Sequence, residues 1–210
     1  MPNYDSIFNA FVTILVTIDP PGLAPLFLAL TRGMNREQRS QVSIRASIIG
    51  FAIMALFALA GAAILGVFGI TLPAFRVAGG LLLFYIAFEM IFERRQDRKE
   101  KSADAAITKD HIRNIAAFPL AIPLMAGPGA ITAMILLAGR AEGRMDYLIA
   151  LYAVAAVVMA ACFACFLMAE RISKLMGITG RAVMTRLLGI ILAALAVQFV
   201  IDGVTVLARA

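Results

Sequence analysis

Asp19 stands in the middle of a long apolar run, immediately before Pro20, Pro21 and Gly22. A carboxylate at membrane depth is costly, so it marks either a helix cap or a group that handles a cation, a solute ammonium or a proton. Asp followed by proline is the pattern of an N-cap with proline at the first helical position, and glycine tolerates the backbone angles of a break. A second break, Gly127-Pro128-Gly129, lies in another apolar run and carries no acid. A half-helix starting near Gly129 would direct free amides and a positive dipole end into the protein, where an anionic group such as a carboxylate could dock. Thr132 would add a hydroxyl one turn later. Gln198, deep in the last apolar run, could hydrogen-bond across helices or touch a solute. The candidate substrate-binding residues are thus Asp19, Pro20, Pro21, Gly22, Gly127, Pro128, Gly129, Thr132 and Gln198. For Asp19 a cap alone, and for the second break a purely structural kink, stay open as alternatives.

These residues need a membrane bundle to position them. The 210 residues are 62% hydrophobic and 15% charged, with mean hydropathy +0.91. That leaves too little polar surface for a soluble domain of this size. Six stretches are long enough to cross a bilayer: 7–31, 46–68, 72–92, 115–139, 147–169 and 187–208. Little chain remains for a soluble catalytic or nucleic-acid-reading domain, so the net charge of +6 reads as a topology signal. The first, third and fifth connections hold 15 of the 19 Lys and Arg residues, which puts them in the cytoplasm and both termini outside. No basic segment precedes the first span, so a cleaved signal peptide is not expected.

The Pro-Gly pairs of the two breaks are 107 residues apart, Gly69-Ile70-Thr71 recurs as Gly177-Ile178-Thr179, and Arg76-Val77-Ala78-Gly79 recurs as Arg186-Leu187-Leu188-Gly189. Three ordered anchors predict a duplication with three spans per copy, and an odd number inverts the second copy in the membrane. The expected fold is all-α: six transmembrane helices as two inverted three-helix repeats, 1–92 and 115–210, the first helix of each broken by Pro and Gly. The segment 93–114, with its mixed charges, reads as a solvated cytoplasmic linker. Small residues at Ala55, Ala58, Ala62 and Gly66, and at Ala153, Ala156, Ala160 and Ala164, predict smooth packing faces on the second and fifth spans.

Catalytic chemistry finds little support. Cys162 and Cys165 form a C-x-x-C inside an apolar helix with no second ligand pair, and read as buried thiols. The sole histidine, His111, lies in the linker, which leaves no histidine metal cluster or triad. There is no Walker loop and no dinucleotide fingerprint. The expectation is therefore no enzyme and no cofactor. Glu89 and Asp202, near span ends, and Arg76 and Arg186, at matching repeat positions, read as boundary anchors.

The run Asp-Pro-Pro-Gly-Leu-Ala-Pro-Leu-Phe at 19–27, the run Pro-Leu-Ala-Ile-Pro-Leu-Met-Ala-Gly-Pro-Gly-Ala-Ile-Thr at 119–132, and the segments 76–91 and 192–203 resemble the MarC family of bacterial inner-membrane proteins. The resemblance covers essentially the whole chain. It implies six spans and a place near the amino-acid exporters of the LysE type, with relatives described as transporters of small neutral amino acids. Two functions follow from residues and resemblance together. One is a secondary transporter or exporter of small solutes, foremost small neutral amino acids, working by alternating access in the inner membrane. The other is a non-transporting scaffold or partner of an envelope complex. The expected partners are a small-molecule substrate and membrane lipid, with a proton or sodium ion as candidate coupling ion and a homo-oligomer as candidate assembly; nucleic acid is not among them.

Overall fold

The structure is a computed structural model that describes residues 4–95, 98–99, 115–141 and 143–209. The linker stretch around Ser102 to Ala105, His111 and the loop residue Glu142 lie outside the described residues. Among the described residues the fold is all-helical: α1 (Tyr4–Ile18), α2 (Pro20–Leu30), α3 (Arg36–Val67), α4 (Leu72–Ile91), α5 (Ala116–Met125), α6 (Pro128–Gly139), α7 (Met145–Leu167) and α8 (Ala169–Leu207).

Local chemistry sets the boundaries. Asn35 opens α3 with a reciprocal capping box: its side chain accepts from Gln38 N at 2.9 Å, and the Gln38 side chain accepts from Asn35 N at 3.0 Å. The 32 residues of α3 make a rod of about 48 Å. That exceeds the roughly 30 Å hydrocarbon core, so the charged first turns extend beyond it. Thr71 caps α4 through Ala74 N at 3.3 Å, with Pro73 in the first turn where its missing N–H is harmless. Gly177, at φ 56 and ψ −170, breaks α8, and the spanning part runs from Thr179 to Arg209.

Five helices or continuous pairs are long and apolar enough to cross a membrane, Tyr4–Leu30 among them. The pair α5 and α6, bent by 60°, makes a sixth. The broken first span is the most enclosed, whereas the spanning part of α8 keeps most of its surface on the outside. Across the chain, α4 runs along α8, α3 packs on α7, and α1 meets α6. The α4–α8 contact is close because glycines line it. A Cβ on Gly80 would lie 2.8 Å from Ala196 O, and one on Gly203 would lie 2.8 Å from Pro73 O.

The small-residue faces differ from expectation. Ala58 is buried, but Ala62, Gly66, Ala153, Ala156, Ala160 and Ala164 are exposed. The buried face of α7 is instead Leu151, Val154, Ala155, Val158, Met159, Cys162 and Phe166. Larger side chains fill a core more completely than alanine does, so α7 turns most of its bulk inward and the stripe alanines outward, with Ala155, outside the stripe, buried. Cys162 is buried and Cys165 half-buried.

Candidate functional site

The site begins with a shortage of backbone donors. In a continuous helix the carbonyls of Val16 and Thr17 would accept from residues 20 and 21, but both of these are proline and have no N–H. The amide of Gly22, which would serve Ile18, is instead taken by Asp19 Oδ1 at 3.2 Å. Asp19 turns the chain at φ 60, a left-handed angle that Asp tolerates better than most residues, and caps α2. It is buried, with 3% exposure. The end of α1 is thereby left with orphaned carbonyls inside the protein.

Cations from the segment after α4 meet them. Arg95 donates from its guanidinium to Thr17 O, and Lys99 donates from Nζ to Ile18 O at 3.3 Å. Both are buried, each with 7% exposure. This corrects the expectation of a solvated linker for its first residues. The chain after Ile91 folds back onto the bundle because two carbonyls at a negative helix end, together with the Asp19 carboxylate, compensate charges that would otherwise be expensive to bury. Burial pushes the Lys99 ammonium down to about 7; neighbouring Arg95 adds to the shift, and Asp19 opposes it. Arg98, the next cation, pairs with the buried carboxylate of Glu89 at 2.8 Å.

The second break supplies the facing wall. Phe118 and Ile122 are extended ahead of Pro119 and Pro123, as residues preceding proline prefer. The intervening turns close through wide bonds, Leu120 N to Ile115 O at 3.2 Å and Ala126 N to Ala121 O at 2.8 Å. Both prolines follow cis peptides. α6 then starts at Pro128 with no side-chain cap. Its end lies against the first break: a Cβ on Gly129 would sit 3.2 Å from Thr17 Cγ2 and 2.4 Å from Ile86 Cδ1.

Between these parts lies a cavity of about 300 Å³. Thr17, Arg95, Arg98 and Lys99 line it on one side, Gly127 to Ala130 on the other, and Tyr85 and Ile86 contribute from α4. Of the sequence-predicted residues, Gly127, Pro128 and Gly129 are on this cavity. Asp19 sits beside it as the counter-charge and cap. Pro21 instead lines a smaller recess near the Gly177 kink, and Pro20 and Gly22 are buried in the first turn of α2. Thr132 points its methyl at Gly79, on the α4 side. Gln198 is exposed and donates to Asp202 at 2.7 Å, where Arg140 also pairs at 3.1 Å. Arg140 further stacks over Phe199 at 4.5 Å, so these residues form a separate cluster.

Sequence reasoning missed Thr17, Tyr85, Arg95 and Lys99. The signal available was spacing, since Ile91, Arg95 and Lys99 recur every four residues and would share one helical face.

Comparison with known proteins decides the family. The model of MarC family integral membrane proteins matches residues 4–208. The chain belongs to the MarC family. Among MarC relatives, a UPF0056 membrane protein of Archaeoglobus fulgidus is 38% identical over 197 residues, 93% of this chain and 91% of the relative. The UPF0056 membrane protein YhcE of Escherichia coli is 32% identical, over 94% of this chain and 91% of its own length. The UPF0056 inner membrane protein MarC of Citrobacter koseri is also 32% identical, with 97% and 96% covered. No solved structure matches. As a MarC protein the chain is an integral, multi-pass membrane protein.

Proposed function

We propose that the chain is a secondary transporter or exporter of small solutes, foremost small neutral amino acids, and that it works by alternating access. The observation that carries this reading is the meeting of two broken helices at one largely apolar cavity that also holds Arg95 and Lys99. Broken helices leave backbone groups unsatisfied in lipid, and a protein tolerates that where the groups face a cavity or a ligand. A volume of about 300 Å³ is at the small end of ligand sites and suits a small solute. The donors of α6 and the cations opposite suit a carboxylate. The contacts of α4 with α8 and of α3 with α7 are ones that an inverted repeat rocking about this site would use. On this reading the protein is no enzyme and needs no cofactor, a proton or sodium ion is the coupling ion, and self-association is compatible with function.

Uptake of radiolabelled small neutral amino acids into proteoliposomes tests the assignment. Concentration-dependent, saturable uptake of at least one of them is expected, and none across the panel would end it.

The name of the Citrobacter koseri relative supports residence in the bacterial inner membrane, and the charge asymmetry of the connections supports both termini periplasmic. Single cysteines placed at Arg36 and Gly69, in a chain lacking Cys162 and Cys165, test this with a membrane-impermeant thiol reagent on intact cells. Position 69 is expected to label and position 36 to stay protected. The reverse pattern would invert the orientation.

A further inference from the structure

The geometry points to a binding site for a singly charged oxyanion in the cavity between the two breaks, with Lys99 and Arg95 as its recognising cations and the first amides of α6 as supporting donors. This deepens the proposed transport site by naming the group it grips. It rests first on the buried cations. Lys99 has an ammonium with three donor directions, and among the described residues its one acceptor is Ile18 O at 3.3 Å. Lys99 as a whole is enclosed, with 7% exposure, and is one of the residues lining the cavity.

Charge balance adds a second argument. Around the cavity stand Arg95, Arg98 and Lys99, against the buried carboxylates of Asp19 and Glu89. Glu89 is engaged by Arg98 at 2.8 Å and acts on Arg95 more weakly than Asp19 does, so among the described residues Asp19 is the main offset to two buried cations. Among the described residues one positive charge is therefore in surplus, and a buried charge without a partner is expensive. A single negative charge closes the balance. No carboxylate stands among the described lining residues to supply it. Third, the opposite wall offers N–H groups: α6 begins without a side-chain cap, and Gly129 and Ala130 line the cavity. An oxyanion with two or three acceptor oxygens can bridge these amides and the Lys99 ammonium, and charge-assisted bonds of this kind are the strong ones.

Such a group could be the carboxylate of a free solute or the phosphate of an anionic lipid. Calorimetric titration with sodium acetate, using the purified full chain in phosphatidylcholine nanodiscs, probes the first source. Native mass spectrometry after reconstitution with phosphatidylglycerol probes the second. Wild type is expected to bind acetate saturably, or to retain phosphatidylglycerol and lose acetate binding when that lipid is present. Lys99→Gln and Arg95→Gln should each weaken whichever ligand binds by about tenfold or more, the worth of a hydrogen bond to a charged group. Lys99→Arg should retain it, because charge and donors persist. Acetate affinity should also fall as pH rises through about 7, where Lys99 gives up its proton. Among the described residues the charged and titratable groups facing Lys99 are Arg95 and Arg98 from its own segment, Asp19 from the first break and Cys162 from α7, with Glu89 of α4 held by Arg98. If Lys99→Gln does not fold, the wild-type pH series and Lys99→Arg decide. Failure of wild type to bind either probe, or binding unchanged in both Gln variants, would overturn the inference. These readouts use no flux, so a protein that binds acetate yet moves no amino acid would refute transport and leave the anion site standing.

Discussion

Gly127→Ala is expected to destabilise the chain by about 1–3 kcal/mol and to abolish uptake, the range typical of overpacking a well-filled site. The added methyl would lie 2.4 Å from Pro123 O, a backbone atom with no rotamer into which it can retreat. Alanine accepts the Gly127 angles, φ −81 and ψ 174, so the cost is purely steric. Relief requires α6 to move away from α5, and that movement displaces Pro128 to Ala130 from the cavity wall. Gly129→Ala is the contrast. Its nearest obstacle is the terminal methyl of Ile86 at 2.4 Å, which a side-chain rotation can clear. Thermal unfolding in detergent beside proteoliposome uptake checks both variants. A Gly127→Ala protein as stable and active as wild type would show that the second break is not held as described.

Asp19→Asn separates charge from capping. Asn caps a helix about as well as Asp and also tolerates the left-handed region, so φ 60 and the bond to Gly22 N survive the change. The negative charge does not. Arg95 and Lys99 would then lose the nearby charge that favours their charged forms, and the loss of stability has the roughly 3–5 kcal/mol of a directly broken buried pair as its upper bound, because Asp19 acts on them without a direct ion pair among the described residues. The cost depends on pH. Lys99, already down at about 7 and no longer supported by Asp19, gives up its proton more readily, so the penalty is largest at low pH and shrinks as pH rises. In the double variant Asp19→Asn/Lys99→Gln the count falls back to the single surplus cation of the wild type, and part of the stability should return. Asp19→Ala should lose a further ~1 kcal/mol for the cap. Denaturation across pH reads the first effect, and uptake across pH reads whether the carboxylate also serves transport. Equal stability of wild type and Asp19→Asn at every pH would reduce Asp19 to a cap.

The breaks were legible because proline and glycine act locally. Two prolines after Asp19 remove two amides wherever the chain lies, and the cap follows from residue type alone. The spans were legible from hydropathy, since bilayer thickness sets their length. What converges on the breaks was not. Arg95 and Lys99 counted in the sequence only as cytoplasmic charges, and no local rule says that a cation will turn back to cap carbonyls about 80 residues earlier. Gln198 looked deep by position along its span, yet depth does not say which way a helix faces, and it faces Asp202 and the outside. Thr132 failed to reach the cavity for the same rotational reason. The alanine stripes misled because small residues suit close packing, while the α4–α8 seam uses glycine instead.

The central claim is that the cavity between the two breaks carries a small solute across the membrane. Counterflow tests it most directly, because exchange requires one site to face each side in turn while a scaffold has no such cycle. Proteoliposomes loaded with an unlabelled amino acid that supports uptake should accumulate the labelled form transiently above equilibrium, and Gly127→Ala liposomes should not. Labelled solute that enters no faster with a loaded lumen than with an empty one, at matched protein content, would contradict alternating access.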